Sequence, residues 1–275
     1  MLVWIGDSLV DERDAHVSVF DRGLTVADGV FETLKIVDGK PFAVSRHLRR
    51  LGDSAGGLGL VAPQSDLVRH AIDEVVAANR AELGGFARLR ITYTAGESAL
   101  GSDRGTGAPT LLVAASPSKP WPSTTAIATV PWRRNEHSSV VGLKTTSYAE
   151  NVVALSRAKS RGASEAILAN TAGQLCEGTG SNIFIVRDGV AATPGLTSGA
   201  LPGITRELVL EWTDAVEAEL SMNDLVNADE VFLTSSTRDV HPVHAVDDTQ
   251  HSAPGPVTAA IAEIFAQRSL EDLDP

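Results

Sequence analysis

The chain has 275 residues, 43% of them hydrophobic and 21% charged, with a formal net charge of −12. That length suits two domains or one large one; the apolar content excludes wholesale disorder, and the acidity excludes a protein built to coat nucleic acid. No apolar run approaches the ~20 residues that span a bilayer, the opening MLVWIGDSLVDERD shows no secretory signal, and the single cysteine, Cys176, excludes an intrachain disulfide; the expected compartment is the cytoplasm.

In chain order, VFETLKIV (30–37) reads as a strand, and Asp38-Gly39 as the hairpin turn into the next one. His47 to Leu60 reads as a helix. Ser65 is expected to cap a second helix whose Leu67, Val68, Ala71, Ile72, Val75 and Val76 form one apolar face. ARLRITYT (87–94) alternates, with Ala87, Leu89, Ile91 and Tyr93 on one face and Arg88, Arg90, Thr92 and Thr94 on the other. SPSKPWPS (116–123) carries three prolines, which neither a helix nor a central strand admits, and reads as a linker between domains 1–115 and 124–275. Glu150 to Arg161 is an expected helix stopped by Gly162. SEAILAN (164–170), SNIFIVRDG (181–189) and DEVFLTSS (229–236) read as strands, with turns at Asn170–Gly173 and Asp188-Gly189. Pro202-Gly203 precedes a helix from Ile204 to Trp212, and a last helix covers Pro256 to Arg268. Hairpin signals among interspersed helices predict a mixed α/β (α+β) fold rather than a doubly wound one.

Dinucleotide, Walker and HExxH motifs are absent. His241 and His244 lie close together, but two imidazoles without a third ligand make no metal site, and no metal is expected. Only five of the 23 basic residues are lysines: Lys35, Lys40, Lys119, Lys144 and Lys159. Lys144, in VVGLKTTSY, has no other charge within five residues. Apolar surroundings favour the neutral, nucleophilic amine that Schiff-base chemistry needs; a lysine with its stem on apolar surface and its head in water is the plainer alternative. LPGIT (201–205) places backbone N–H groups and Thr205 at a helix start, which attracts phosphate. TSST (234–237) adds hydroxyls at a strand end, and Arg50 offers a bidentate guanidinium. Glu177, in LCEGTGSN, sits among small residues before a strand.

Five ordered segments together resemble the class IV aminotransferases, the fold-type IV family of pyridoxal-phosphate (PLP) enzymes. They are DRGLTVADGVFETLKIVDGKPFAVSRHLRRL (21–51), GLKTTSYAENVVAL (142–155), EAILANTAGQLCEGTGSNIFIVRDG (165–189), LPGITREL (201–208) and DEVFLTSSTRDVHPV (229–243). The resemblance implies a small N-terminal α/β domain, a larger C-terminal domain with a pseudo-barrel sheet, and a homodimer with active sites near its interface. It implies that Lys144 holds PLP covalently and later carries the proton at the substrate Cα. It assigns Glu177 to the pyridine nitrogen, and Arg50, Ile204, Thr205 and Ser236 to the phosphate. The family's PLP-contacting tyrosine stands five residues after the lysine; here Tyr148 is four after and Ala149 takes the fifth place. Phe31 falls at an aromatic pocket position and Arg90 at a substrate-side position, with Thr237 and Arg238 beside the phosphate turn. D-amino acid enzymes of the family carry an arginine where this chain has Ala95, so Arg90, Arg104 and Arg238 are the candidates for the substrate carboxylate.

The expected activity is transfer of an amino group between an amino acid, of the D-amino acid or (R)-amine type, and a 2-oxo acid. 4-Amino-4-deoxychorismate lyase and branched-chain aminotransferase are the alternatives, and a PLP-binding module without turnover is a non-enzyme reading. Lys35, on one strand face with Phe31 and Thr33, joins Arg88 and Arg90 in a basic pocket suited to two carboxylates.

Overall fold

The computed structural model describes residues 1–275, which divide into two compact units. The first comprises 1–120, 143–147 and 273–275; the second comprises 121–142 and 148–272. The chain therefore gives five residues from its middle, and its last three, to the first unit.

The first unit contains β1 (Leu2–Ile5), β2 (Ser8–Asp11), α1 (Arg22–Thr25), β3 (Gly29–Val37), β4 (Lys40–Pro41), α2 (Val44–Gly57), α3 (Ser65–Ala78), α4 (Arg80–Leu83), β5 (Phe86–Thr94) and β6 (Thr110–Pro117). Its six strands form an antiparallel sheet in the order β2-β1-β6-β5-β3-β4. The alternation read in 87–94 is present: Ala87, Leu89, Ile91 and Tyr93 are buried with Val30, Leu34 and Ile36 of β3. The apolar faces of α2 and α3 complete that core through Val44, Leu48, Leu51, Val68, Ala71, Ile72 and Val75. Antiparallel register places Phe31, Thr33 and Lys35 opposite Thr92, Arg90 and Arg88 on the other face of the sheet.

Three local expectations change. Ser65 is the first residue of α3 rather than its cap; Gln64 holds the cap position and makes no side-chain cap bond. The helix expected over 47–60 starts three residues earlier, at Val44, after Ala43 in a left-handed turn (φ 55°). β6 runs through Ser116 to Pro117, whose place as its last residue suits a side without an N–H to give. After α2, Leu58 and Leu60 pack against the core and Val61 is exposed.

The second unit contains β7 (Thr125–Arg134), α5 (Ala149–Lys159), β8 (Glu165–Asn170), β9 (Leu175–Gly178), β10 (Asn182–Arg187), β11 (Val190–Pro194), α6 (Ile204–Trp212), β12 (Val216–Ala218), α7 (Met222–Val226), β13 (Glu230–Ser235), β14 (Asp239–Val246), β15 (Thr249–Gln250) and α8 (Pro256–Glu271). Its nine-stranded sheet follows β12-β11-β10-β13-β14-β7-β8-β9, with β15 on β14, and curls as a half-barrel. The pairs β14–β7, β7–β8 and β11–β12 are parallel and the rest antiparallel, so the sheet is mixed as the hairpins implied. Small side chains let α5 approach closely: Ala154 and Ala158 pack on Ala128, Ala163 and Ala166. No helix is long and apolar enough to cross a membrane.

The start of α8 is fixed from the sheet. Glu230 of β13 is buried, and its carboxylate accepts from the N–H groups of Val257 (3.0 Å) and Thr258 (2.7 Å). Gly255 makes room for it, since a Cβ there would lie 2.1 Å from the Glu230 carboxyl carbon. Glu230→Ala leaves two donors of the helix N-terminus unpaired and is expected to cost about 1–3 kcal/mol. Urea denaturation checks this against Gln267→Ala on the exposed side of α8, which should stay within ~0.5 kcal/mol of wild type.

Candidate active site

The lysine segment forms its own short pairing in the first unit. Thr145 bridges Val30 at the edge of β3, the Phe31 N–H donates to the Lys144 carbonyl (2.9 Å), and the Thr146 N–H donates to that of Gly29 (2.8 Å). Lys144 is thereby aimed at Phe31, with Nζ 4.6 Å from the ring centroid. The Arg90 guanidinium lies on the same ring, 3.7 Å from its centroid, and its Nε donates to Thr92 Oγ1 (3.3 Å). Arg88 is exposed on the same sheet face. Lys35 differs: it is buried, with Nζ 4.5 Å from the Phe42 ring.

Behind this face lies a charged cluster that sequence reading missed. Glu32 is completely buried among Val30, Leu34 and Ile36, at a position where β3 otherwise places apolar side chains. Arg50 reaches it from α2 with a fork, Nε to Oε1 at 2.7 Å and Nη2 to Oε2 at 2.6 Å. His47 Nδ1 stands 2.7 Å from Oε2. Burial would raise the Glu32 carboxyl, but the Arg50 charge and hydrogen bonds, helped by His47, more than offset it and hold it at about 2. His47 moves the other way. Burial lowers its pKa despite the adjacent carboxylate, and the Arg50 and Lys144 charges add to that, so the ring is neutral at pH 7 and its Nδ1–H donates a hydrogen bond to Glu32.

The other two carboxylate-binding candidates are occupied. Arg104 forks onto Asp28 (2.5 and 2.7 Å), which also takes Arg22 Nε (2.9 Å), and its Nη1 donates to the Gly59 carbonyl. The Asp28 carboxyl is held below its usual range, chiefly by its hydrogen bond from Arg104. In the second unit, Arg238 lies 3.6 Å from the Trp121 ring centroid, donates to the Ser164 carbonyl (3.0 Å) and meets His241 Nδ1 (2.9 Å). Burial and the Arg238 charge push His241 down to about 4; the neutral ring accepts from Arg238 and donates through Nε2 to the Pro122 carbonyl (2.8 Å). His244 Nδ1 is 2.9 Å from Thr124 Oγ1.

The second unit assembles the remaining candidates. Glu177 is buried on β9, and its Oε2 accepts from the Leu201 N–H (2.9 Å) and from Asn182 Nδ2 (3.5 Å). Arg134 Nε lies 3.4 Å from Oε1, and its Nη2 donates to Asn151 Oδ1 (3.0 Å). Asn182 Nδ2 also donates to the Leu201 carbonyl (2.9 Å), and a Cβ on Gly203 would lie 1.9 Å from Asn182 Oδ1. Glu177 is thus tied through Asn182 to the loop that starts α6. That helix has Gly203 at its N-cap with no side-chain cap, and Ile204 and Thr205 are buried in its first turn. Asn182 pairs with Thr234 across β10–β13, and the buried Thr234 Oγ1 has no hydrogen-bond partner. Ser236 and Thr237 occupy the half-buried turn after it. Tyr148 is half-buried at the N-cap of α5. An uncapped helix start with Thr205, an orphaned hydroxyl and a carboxylate that accepts from neutral donors and faces a guanidinium suit a phosphate and a protonated ring nitrogen. Arg134, Asn151 and Asn182 escaped sequence reading because their partners lie up to 43 positions away in the chain.

These two residue sets define a class. The model of the family Amino-transferase class IV matches residues 29–246, and the chain belongs to that family. Class IV aminotransferases are PLP-dependent enzymes, and this chain is a transaminase of that kind. It is 36% identical to a protein of Methanocaldococcus jannaschii provisionally named a branched-chain-amino-acid aminotransferase, over 96% of this chain and 95% of that one. It is 31% identical to the D-alanine aminotransferase of Listeria innocua, over 97% and 96%. Among solved structures it resembles the branched-chain aminotransferase of Thermoproteus uzoniensis with norvaline, at 32% identity and a TM-score of 0.91 over 98% and 95% of the two chains.

Glu32→Gln leaves the buried Arg50 without its counter-charge and is expected to cost about 3–5 kcal/mol at pH 7. Because the folded-state pKa lies below the usual 4.5, the stabilisation is present above pH 4.5 and lost as pH falls through about 2. Denaturation of wild type between pH 5 and 2 should therefore lose stability faster than that of Glu32→Gln.

Proposed function

We propose that Lys144 is the residue that holds PLP and that the basic face around Phe31 receives the substrate carboxylates. The observation that carries this reading is the convergence of Lys144 and Arg90 on one aromatic ring. PLP, when bound, supplies an electron sink for the bond that breaks at the substrate Cα. Lys144 Nζ holds it and moves the proton at that carbon. Glu177 keeps the ring nitrogen protonated. Its carboxylate accepts from the Leu201 N–H and faces the Arg134 guanidinium. Arg50, the N–H of Ile204, Thr205 and Ser236 hold the phosphate, Arg50 being steadied by Glu32 on its Nε and Nη2 edge. Tyr148 serves the cofactor from the start of α5. Arg90, Arg88, Lys35, Thr237 and Arg238 are assigned to the substrate. Arg90 is assigned the direct carboxylate contact because Arg104 and Arg238 are committed elsewhere.

Arg88 and Arg90 on one sheet face favour a dicarboxylate partner such as a 2-oxo acid with a second acid group. The amino donor in this reading is a D-amino acid or an (R)-amine, as the similarity to a D-alanine aminotransferase supports. A branched-chain L-amino acid donor is the second reading, supported by the similarity to the archaeal branched-chain enzymes and by Ala95. Half-reaction spectra with D-alanine, D-glutamate, (R)-phenylethylamine, L-leucine and aminodeoxychorismate separate them. The D-donor reading expects loss of the visible PLP band with the first three. A response to L-leucine alone supports the second reading, and release of p-aminobenzoate and pyruvate from the last compound identifies a lyase. Glu177→Gln should bind PLP yet turn over hundreds-fold more slowly, roughly 3–4 kcal/mol in the barrier, because a neutral amide does not hold the ring proton; near wild-type turnover contradicts the assignment.

We propose further that the enzyme works as a cytoplasmic homodimer. The lone thiol of Cys176 is buried, and burial pushes it up to about 12, which disfavours the reactive thiolate. Around α1 the first unit exposes Val17, Val19, Phe20, Leu24 and Val26, with Val19 70% and Leu24 67% accessible. Apolar side chains grouped this way mark an association surface. Light scattering at micromolar concentration should give twice the chain mass, and Val19→Lys with Leu24→Lys should shift it toward the monomer.

A further inference from the structure

The buried face of α2 carries three polar side chains in a line: His47, Arg50 and Ser54. Their spacing puts them one above another on the helix. Glu32 accounts for the first two. Ser54 has a different partner. It is 1% exposed, and its Oγ accepts a hydrogen bond from the backbone N–H of Lys144 at 3.1 Å. The carbonyl of the same residue accepts from Phe31. Both main-chain polar groups of Lys144 are therefore held, one by a helix side chain and the other by β3.

The contact is reinforced on both sides. Gly57, three residues past Ser54, lies against the Leu143 side chain, so that a Cβ there would come within 2.6 Å of Leu143 Cδ2, and this last turn of α2 packs on the residue before the lysine. After the lysine, Thr146 Oγ1 donates to the Ala27 carbonyl at 2.9 Å. Everything between is short and has no secondary structure of its own.

We propose that Ser54 is a positioning residue for Lys144, and that α2, by carrying Arg50 and Ser54 one turn apart, fixes the cofactor lysine in register with the phosphate-binding arginine. This rests on the reading that Lys144 holds PLP. The physical reason is that lysine reaches its target through four rotatable side-chain bonds, so the place of Nζ is defined only as well as its backbone is. Without the hydroxyl the Lys144 N–H is orphaned, and rotation at its φ is opposed by the β3 bonds alone.

The test compares Ser54→Ala with Leu51→Ala, a core truncation on the same helix that touches neither Lys144 group. Two quantities are read: hydrogen exchange of the 143–147 segment in the PLP-free protein, and the pH midpoint of the visible PLP band in the loaded one. Ser54→Ala should speed exchange of the segment tenfold or more and move the midpoint by half a pH unit or more, while Leu51→Ala lowers Tm and moves neither. Faster exchange with an unmoved midpoint would make Ser54 a support of the fold only and overturn the proposal, as would no change in either. Should Ser54→Ala fail to fold, wild type decides: the Lys144 amide must be among the slowest to exchange between residues 143 and 147, and fast exchange overturns the proposal. Borohydride reduction and peptide mapping of wild type tests the underlying reading separately, because a label on another lysine removes Lys144 from the cofactor but leaves the exchange result standing.

Discussion

Residues 143–147 lie along the edge of β3, where Phe31 donates to Lys144 and Thr146 donates to Gly29, while Ser54 receives the lysine N–H from α2. Ordering a free loop costs roughly 1–2 kcal/mol per residue in backbone entropy. Here the pairing offsets that cost at the residue whose position matters most. The segment belongs to the first unit although the residues on either side of it, up to Gly142 and from Tyr148, belong to the second. β3 consequently serves twice: its core-facing side carries Glu32, and its other side carries Phe31 beneath Lys144 and Arg90.

Charge is distributed accordingly. The chain is acidic overall, yet Arg88, Arg90 and Lys144 gather on one face of the first unit. Arg90 and Lys144 both lie on the Phe31 ring, where a cation gains from the aromatic face. Arg50 is handled differently, because it is buried: it needs Glu32, and Glu32 needs Arg50 and His47 to stay ionised. Glu177 in the second unit is also a buried carboxylate, accepting from the Leu201 N–H with Arg134 3.4 Å away.

Local pattern explains which parts were legible in the sequence. The 87–94 alternation, the apolar face of α3 and the α6 boundaries at Ile204 and Trp212 follow from periodicity and from Gly203, and they stand as expected. β9 was not expected, because LCEG is short and reads as a Gly-rich turn; it is a strand because Ile167 and Leu168 pair with Gly178 and Glu177. The family's five segments pointed to Lys144, Glu177 and the start of α6. What pattern could not reach were partners distant in the chain, such as Arg134 on Glu177 or Ser54 on Lys144, 90 residues apart. A signal for one of them was present. Glu32 falls on the core-facing side of β3, and His47, Arg50 and Ser54 stand one helical turn apart, so a buried charge and a polar stripe were there to be matched.

The central claim is that the lysine held between β3 and α2 is the one that carries the cofactor. Reduction of the PLP-loaded protein with borohydride fixes the cofactor to its lysine, and digestion with mass spectrometry locates it. The account predicts the pyridoxyl group on Lys144 alone, and a label on Lys35, Lys40, Lys119 or Lys159 would contradict it.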